Sequence, residues 1–263
     1  SSRYVRREGR EVMEEENLNI TLLNKSLRYT FVSLGYFCGV AMELERIGLR
    51  SFSLPFDWLI SGNFESVLRL IKNNFDDFLD PDFMFQEVSV NKNYYYNKVT
   101  DIHFYHDFSA YRSFDSQIDE VEKKYRRRIQ RFYEIIQKPT IFIRYIASKN
   151  EAEYIAHHAE EIDFLLKSFH PENRIIYIAD CLSEPIKGVA LYCVKKDKGD
   201  EAARRFLEKC PDLKNALMNY SYPDRKANLK RYKQTRKKKW LHKAGIALKK
   251  YFCKSTYTHN KNI

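Results

Sequence analysis

Two side chains in this sequence have the type and setting to do chemistry, Cys38 and His106. Cys38 stands in "SLGYFCGVAMELERIGLR", where a short apolar run closes at Gly35 and a helical pattern begins three residues later. A thiol in the first turn of a helix faces unpaired backbone N–H groups and the positive end of the helix dipole, and both favour thiolate. The same N–H groups would suit an oxyanion formed in acyl transfer. Gly35 and Gly39 keep side chains away on either side, leaving room for a substrate carbonyl. The competing reading is a core thiol, because free cysteine is among the most buried residue types. His106 lies in "DIHFYHDF". As a strand, that segment would put Ile102, Phe104, His106 and Phe108 on one face, with His103, Tyr105 and Asp107 on the other. A partly desolvated His beside an Asp can serve as a base. A semi-buried His bonded to a backbone carbonyl fits the pattern equally well.

Two further blocks belong with these. In "PFDWL", Pro55 fixes a turn and Phe56 and Trp58 anchor a loop. Asp57 between them either caps a helix near residue 60 or orients a catalytic His. Arg144 in "FIRYI" sits near the C-terminal end of a strand, where open α/β sheets place their ligands. It would hold a carboxylate or phosphate there, or pair with an Asp on a neighbouring loop. His103 and His106 would point to opposite faces of a strand, and no CxxC pair occurs, so no metal is expected. Nor is there a Walker loop, a GxGxxG, a GxSxG or an HExxH, and no cofactor is expected.

The elements that must position these residues are legible in the apolar periodicity. A strand is expected over 30–34 and a helix over 38–47, stopped by Gly48. A helix over 63–80 would carry Phe64, Val67, Leu68, Ile71 and Phe75 on one face. The clearest helix runs over 116–138, with Ile118, Val121, Tyr125, Ile129, Phe132 and Ile136 as its apolar stripe. From there the rhythm is strand 140–146, helix 151–169, strand 174–180, strand 189–196 and helix 200–210. Near-continuous apolar strands alternating with amphipathic helices predict an α/β fold, a single three-layer domain with a mostly parallel sheet. The expected organisation is an N-terminal extension over 1–28, the α/β domain over 29–222 and a basic tail over 223–263.

Charge supports that division. The chain has a net charge of +11, yet residues 224–263 hold 14 Lys and Arg against one Asp, so the rest of the chain is slightly acidic. Over 236–254 a helical wheel gathers Trp240, Leu241, Ala244, Ala247, Leu248, Tyr251 and Phe252 on one arc, with lysines mostly opposite. That pattern suits an anionic membrane surface. Nucleic acid is disfavoured, because the body offers no basic face or recognition motif. Packing of this helix back on the domain is the other reading. Five widely spaced cysteines fit free thiols in a reducing cytoplasm, and no secretory h-region or membrane span is evident. The expected location is cytoplasmic, with the tail on the inner face of the membrane.

The blocks "SLGYFC", "GLR", "PFDWL", "NNFDDFL" and "HDF", in that order, resemble a bacterial family of papain-like cysteine-peptidase type. The resemblance is good over about 30–146. It implies Cys38 as nucleophile, His106 as its base, and Asp107 or Asp57 to orient that base. Gly35, Tyr36, Gly39, Trp58 and Arg144 would then line the substrate pocket. Papain-like architecture would be α+β, with the cysteine helix against an antiparallel sheet, and so competes with the parallel sheet read from the strands. The implied substrate is a peptide, acyl or glycan compound. Because members of the family often accompany surface-polysaccharide genes, the alternative is a glycan-modifying transferase at the inner membrane face. It would bind a sugar nucleotide or phosphorylated sugar, with Cys38 structural.

Overall fold

In the computed structural model, residues 26–89, 92–109 and 111–259 are described. A parallel sheet of β1 (Thr30–Ser33), β6 (Thr140–Ile146), β7 (Arg174–Ala179) and β8 (Leu191–Cys193) runs in the order β1-β6-β7-β8. The register pairs Val32 with Phe142, Ile143 with Ile176 and Ile178 with Tyr192. All seven residues of β6 are buried, as an interior parallel strand requires.

Alternation along the strands feeds two cores. Phe31, Ile141, Ile143, Tyr145, Ile176 and Ile178 face one layer, built from α1 (Gly39–Arg46), α5 (Phe206–Lys209) and α6 (Pro211–Met218). Val32, Phe142, Tyr177 and Ala179 face the other, where α2 (Phe64–Lys72), α3 (Asp115–Ile136) and α4 (Lys149–Phe169) pack. The expected three-layer α/β arrangement is therefore present. A second, antiparallel sheet joins the latter core, with β2 (Ile60–Ser61), β5 (Ile102–Phe104), β4 (Lys92–Asn97) and β3 (Met84–Ser89) in the order β2-β5-β4-β3. Its inner face carries Tyr95, Ile102 and Phe104.

Three segments depart from the sequence expectation. The helix expected to reach residue 80 ends at Lys72, because Asn74, Phe75 and Asp77 adopt positive φ. Phe75 and Phe78 enter the core from the resulting turns. The strand expected over "DIHFYHDF" stops at Phe104, and residues 105–108 turn. The helix expected over 200–210 is reduced to α5, preceded by an irregular stretch that ends in left-handed Arg205 (φ 52°).

The basic segment forms one long helix, α7 (Arg225–His259). Its start is seated on the end of α1: Arg225 Nε donates to Ile47 O at 3.1 Å, and the buried Asn228 Nδ2 donates to Gly48 O at 3.1 Å. Residues 233–240 are exposed on every side, Trp240 included. The side chains of Leu241 and of residues 244–263 lie outside the described part, and with them most of the amphipathic arc. No helix among the described residues is long and apolar enough to cross a membrane.

Candidate functional site

The corner after β1 is built around two consecutive left-handed residues, Gly35 (φ 79°) and Tyr36 (φ 83°). At Gly35 a side chain has no space, since a Cβ would lie 2.7 Å from Ser61 Oγ and 3.2 Å from Phe56 O. Tyr36 has a Cβ and bears the strain of about 1–3 kcal/mol that such a conformation costs. It persists because both sides of its peptide are held. Tyr36 N donates to Ser61 Oγ at 3.1 Å, Ser61 N donates to Tyr36 O at 3.0 Å, and its ring stacks on Tyr145 at 5.7 Å.

Beneath this corner lies Arg144, which is 0% exposed. Its guanidinium donates to Leu34 O (3.1 Å), Ser61 Oγ (2.9 Å) and Ser61 O (2.7 Å), and pairs with the buried Glu151 carboxylate. The face of Phe64 covers it at 4.9 Å. The expectation that Arg144 lines the pocket is thereby corrected: both of its Nη groups are used by the scaffold and it has no open surface. The alternative, pairing with an Asp on a neighbouring loop, is corrected as well: the partner is Glu151, in the first turn of α4.

The corner delivers Cys38 to the N-cap position of α1, with no side-chain capping bond. Gly39 follows, and a Cβ there would collide with the Phe37 ring at 2.2 Å. So Gly39 makes space for Phe37 itself. The half-buried Cys38 thiol is pushed above its ordinary pKa by burial, while its own backbone N–H and the Arg204 guanidinium pull it down. The expectation that a helix start favours thiolate is therefore outweighed by desolvation.

His106 is exposed on the turn after β5, edge-on to Trp58 with ring centroids 6.4 Å apart. The two acids proposed to orient it are both committed elsewhere. Asp107 turns inward, accepting from Lys124 Nζ at 2.5 Å and from Tyr125 OH at 2.8 Å on α3. Asp57 is fully buried and accepts from Arg50 Nε and Leu54 N, each at 2.9 Å. Burial raises the Asp57 pKa, with Arg50 opposing. Asp57 shapes the "PFDWL" loop, whose Trp58 indole lies under the Arg50 guanidinium at 5.2 Å. Neither carboxylate bonds His106.

Cys38 and His106 nevertheless line one cleft of about 670 Å³. One wall comes from the corner after β1 (Tyr36, Phe37 and Cys38) and a second from Trp58, Leu59 and Ile60 entering β2, with Tyr105 and His106 on the turn after β5. The cleft opens beyond the C-terminal ends of the parallel strands, where open α/β sheets receive ligands. A third wall went unrecognised in the sequence: Gly199, Asp200, Glu201, Ala202 and Arg204, from the stretch after β8. The "DKGD" run over 197–200 was a turn signal that the helix expected from residue 200 overrode. Tyr105 falls on the strand that the alternation predicts, and a lone serine such as Ser61 has no signature.

No solved structure matches this chain. An uncharacterised protein of Acanthamoeba polyphaga mimivirus is 33% identical over 179 residues, covering 59% of this chain and 78% of that protein. A family model matches residues 29–174, more than half of the chain, and that span contains Cys38, Trp58, His106 and Arg144 but ends before the wall at 199–204. On that match the chain belongs to the family described as "Putative papain-like cysteine peptidase".

Proposed function

We propose that the cleft is the active site of a thiol-dependent acyl hydrolase or acyl transferase, with Cys38 as nucleophile and His106 as proton carrier. The observation that carries this reading is the convergence of Cys38 and His106, from separate sheets, on one cleft. Cys38 Sγ attacks the carbonyl carbon of a peptide or acyl substrate and its proton passes to His106. As the bond to the leaving nitrogen or oxygen breaks, His106 returns that proton to the leaving group and a thioester remains. Water, or an acceptor nucleophile, then attacks the thioester, gives its proton to His106, and Cys38 recovers its own. The N–H groups opening α1 would stabilise the oxyanion. Turnover of fluorogenic peptides and activated acyl esters tests this. Cys38→Ala should abolish turnover with an unchanged circular dichroism spectrum, and His106→Gln should slow it about 10²- to 10⁴-fold. Full turnover in Cys38→Ala would exclude the reading.

A second reading is favoured by the aromatic lining of the same cleft, which includes Tyr36, Trp58 and Tyr105. In it the protein is a glycan-modifying transferase holding a sugar nucleotide or phosphorylated sugar, and Cys38 only lines the pocket. A thermal-shift screen of sugar nucleotides that stabilises Cys38→Ala as well as wild type would support it.

For the tail we propose an anionic membrane surface as partner. What supports this is the exposure of α7 from residue 233 to 240, with a run of four basic residues ending at the exposed Trp240. Co-sedimentation with phosphatidylserine vesicles, weakening with salt and lost in a chain truncated after residue 235, is the expected result. Equal pelleting with neutral vesicles would count against it.

A further inference from the structure

Cys38 presents an electrostatic problem that the residues bearing the family resemblance do not solve. Burial disfavours its thiolate, and neither Asp57 nor Asp107 reaches His106 to build a charged relay. The wall at 199–204, beyond the family match, holds a group of the required sign. Among the described residues, Arg204 is the one Lys or Arg lining the cleft with Cys38, and its guanidinium has no ion-pair or hydrogen-bond partner there. Other arginines nearby are committed: Arg144 to Glu151, Arg46 to Glu43 and Glu208, and Arg205 to Glu208 at 3.4 Å.

Arg204 also springs from a fixed base. Ala202 and Ala203 are buried, and Ala203 N donates to Tyr145 OH at 2.6 Å. That hydroxyl donates to the buried Asp180 at 2.8 Å, and the Tyr145 ring lies against both Tyr36 and Phe37, the residues before Cys38. Left-handed Arg205 then turns the chain into α5. One tyrosine thus ties the Cys38 corner and the Arg204 wall together. The titratable groups that line the cleft with Cys38 are Arg204, His106, Asp200, Glu201, Tyr36 and Tyr105. Burial is the main cause that raises the Tyr36 and Tyr105 hydroxyls, with Glu201 adding to both, while at the thiol Arg204 opposes the effect of burial.

We propose that Arg204 is the cationic partner of Cys38, favouring loss of the thiol proton to His106 or solvent and holding the resulting thiolate. This rests on Cys38 being an accessible cleft thiol, as in the acyl-transfer reading, but not on any particular substrate. The test is the rate of Cys38 alkylation by iodoacetamide in the full chain, from about pH 6 to 10, read by mass spectrometry of the Cys38 peptide. Arg204→Gln should raise the midpoint by about half a unit and slow alkylation near neutral pH about threefold. Arg204→Lys should restore most of the rate, and Arg205→Gln should leave it unchanged. The rate of anionic iodoacetate relative to neutral iodoacetamide should also fall in Arg204→Gln. An unshifted midpoint in Arg204→Gln, or an equal shift in Arg205→Gln, would overturn the proposal. Cys38 unreactive in the native protein but alkylated in denaturant would overturn both this proposal and the acyl-transfer reading. The expected shift without turnover of any acyl substrate would leave Arg204 as proposed and remove only acyl transfer.

Discussion

The Cys38 wall and the His106 rim of the cleft are held in different ways. Cys38 rests on a buried hub in which Arg144, Glu151 and Ser61 secure two left-handed residues with several mutually dependent bonds. His106 is exposed and reaches the body through its neighbour Asp107, which grips Lys124 and Tyr125 on α3. In both places the charged residue beside the candidate chemistry belongs to the scaffold. A strained backbone needs redundant support, because each unmade bond would let it relax. An exposed turn needs only one anchor. It follows that damage at the two walls should differ in kind.

The largest expected effect comes from the hub. Arg144→Met leaves the Glu151 carboxylate buried without its partner, and the loss should be about 3–5 kcal/mol in urea denaturation. Adding Glu151→Leu should recover part of it. A single variant within about 1 kcal/mol of wild type would show that the hub is not what holds the corner. Gly35→Ala is expected next, at about 1–3 kcal/mol, since it combines left-handed strain with a close approach to Ser61 Oγ. If it were neutral, the corner would be more pliable than the contrast with the His106 turn requires.

On the other wall, Asp107→Asn should cost about 1–3 kcal/mol by weakening the grip of Lys124 and Tyr125. Alkylation of Cys38 should change little. A variant of full stability with impaired turnover would instead restore Asp107 as the orienter of His106 and erase the difference between the walls. The smallest effect is on pH dependence. With burial raising the Cys38 pKa, alkylation should climb with pH through a midpoint above that of an exposed thiol. In the folded chain the neutral thiol is favoured. Its contribution to stability is therefore present below the unfolded thiol pKa and lost as pH rises through the folded one. A midpoint below the ordinary thiol value would reverse this assignment.

Much of the frame was legible in the sequence. β1, β6 and β7 announce themselves as apolar runs, and α3 and α4 as stripes of spacing three and four, because burial on a sheet or a helix face imposes those periods. The same signal places Cys38 at the start of a helix closed by left-handed Gly48. Periodicity misled where a tertiary partner outbid it. "DIHFYHDF" alternates on paper, but Lys124 and Tyr125 draw Asp107 inward and Phe108 is buried too, which a strand with opposite faces cannot accommodate. Residues 200–205 have helical composition, yet the Tyr145 hydroxyl takes the Ala203 N–H and the chain stays irregular.

What the sequence determined by itself is the set of elements and the two chemical side chains, since periodicity and residue type are local properties. Which carboxylate meets which base was decided by the tertiary structure, as was the burial of Arg144 and the exposure of Arg204. Those outcomes depend on desolvation and on how separate elements pack, as where Arg144 donates to Leu34 O across the parallel sheet, and no local pattern encodes them.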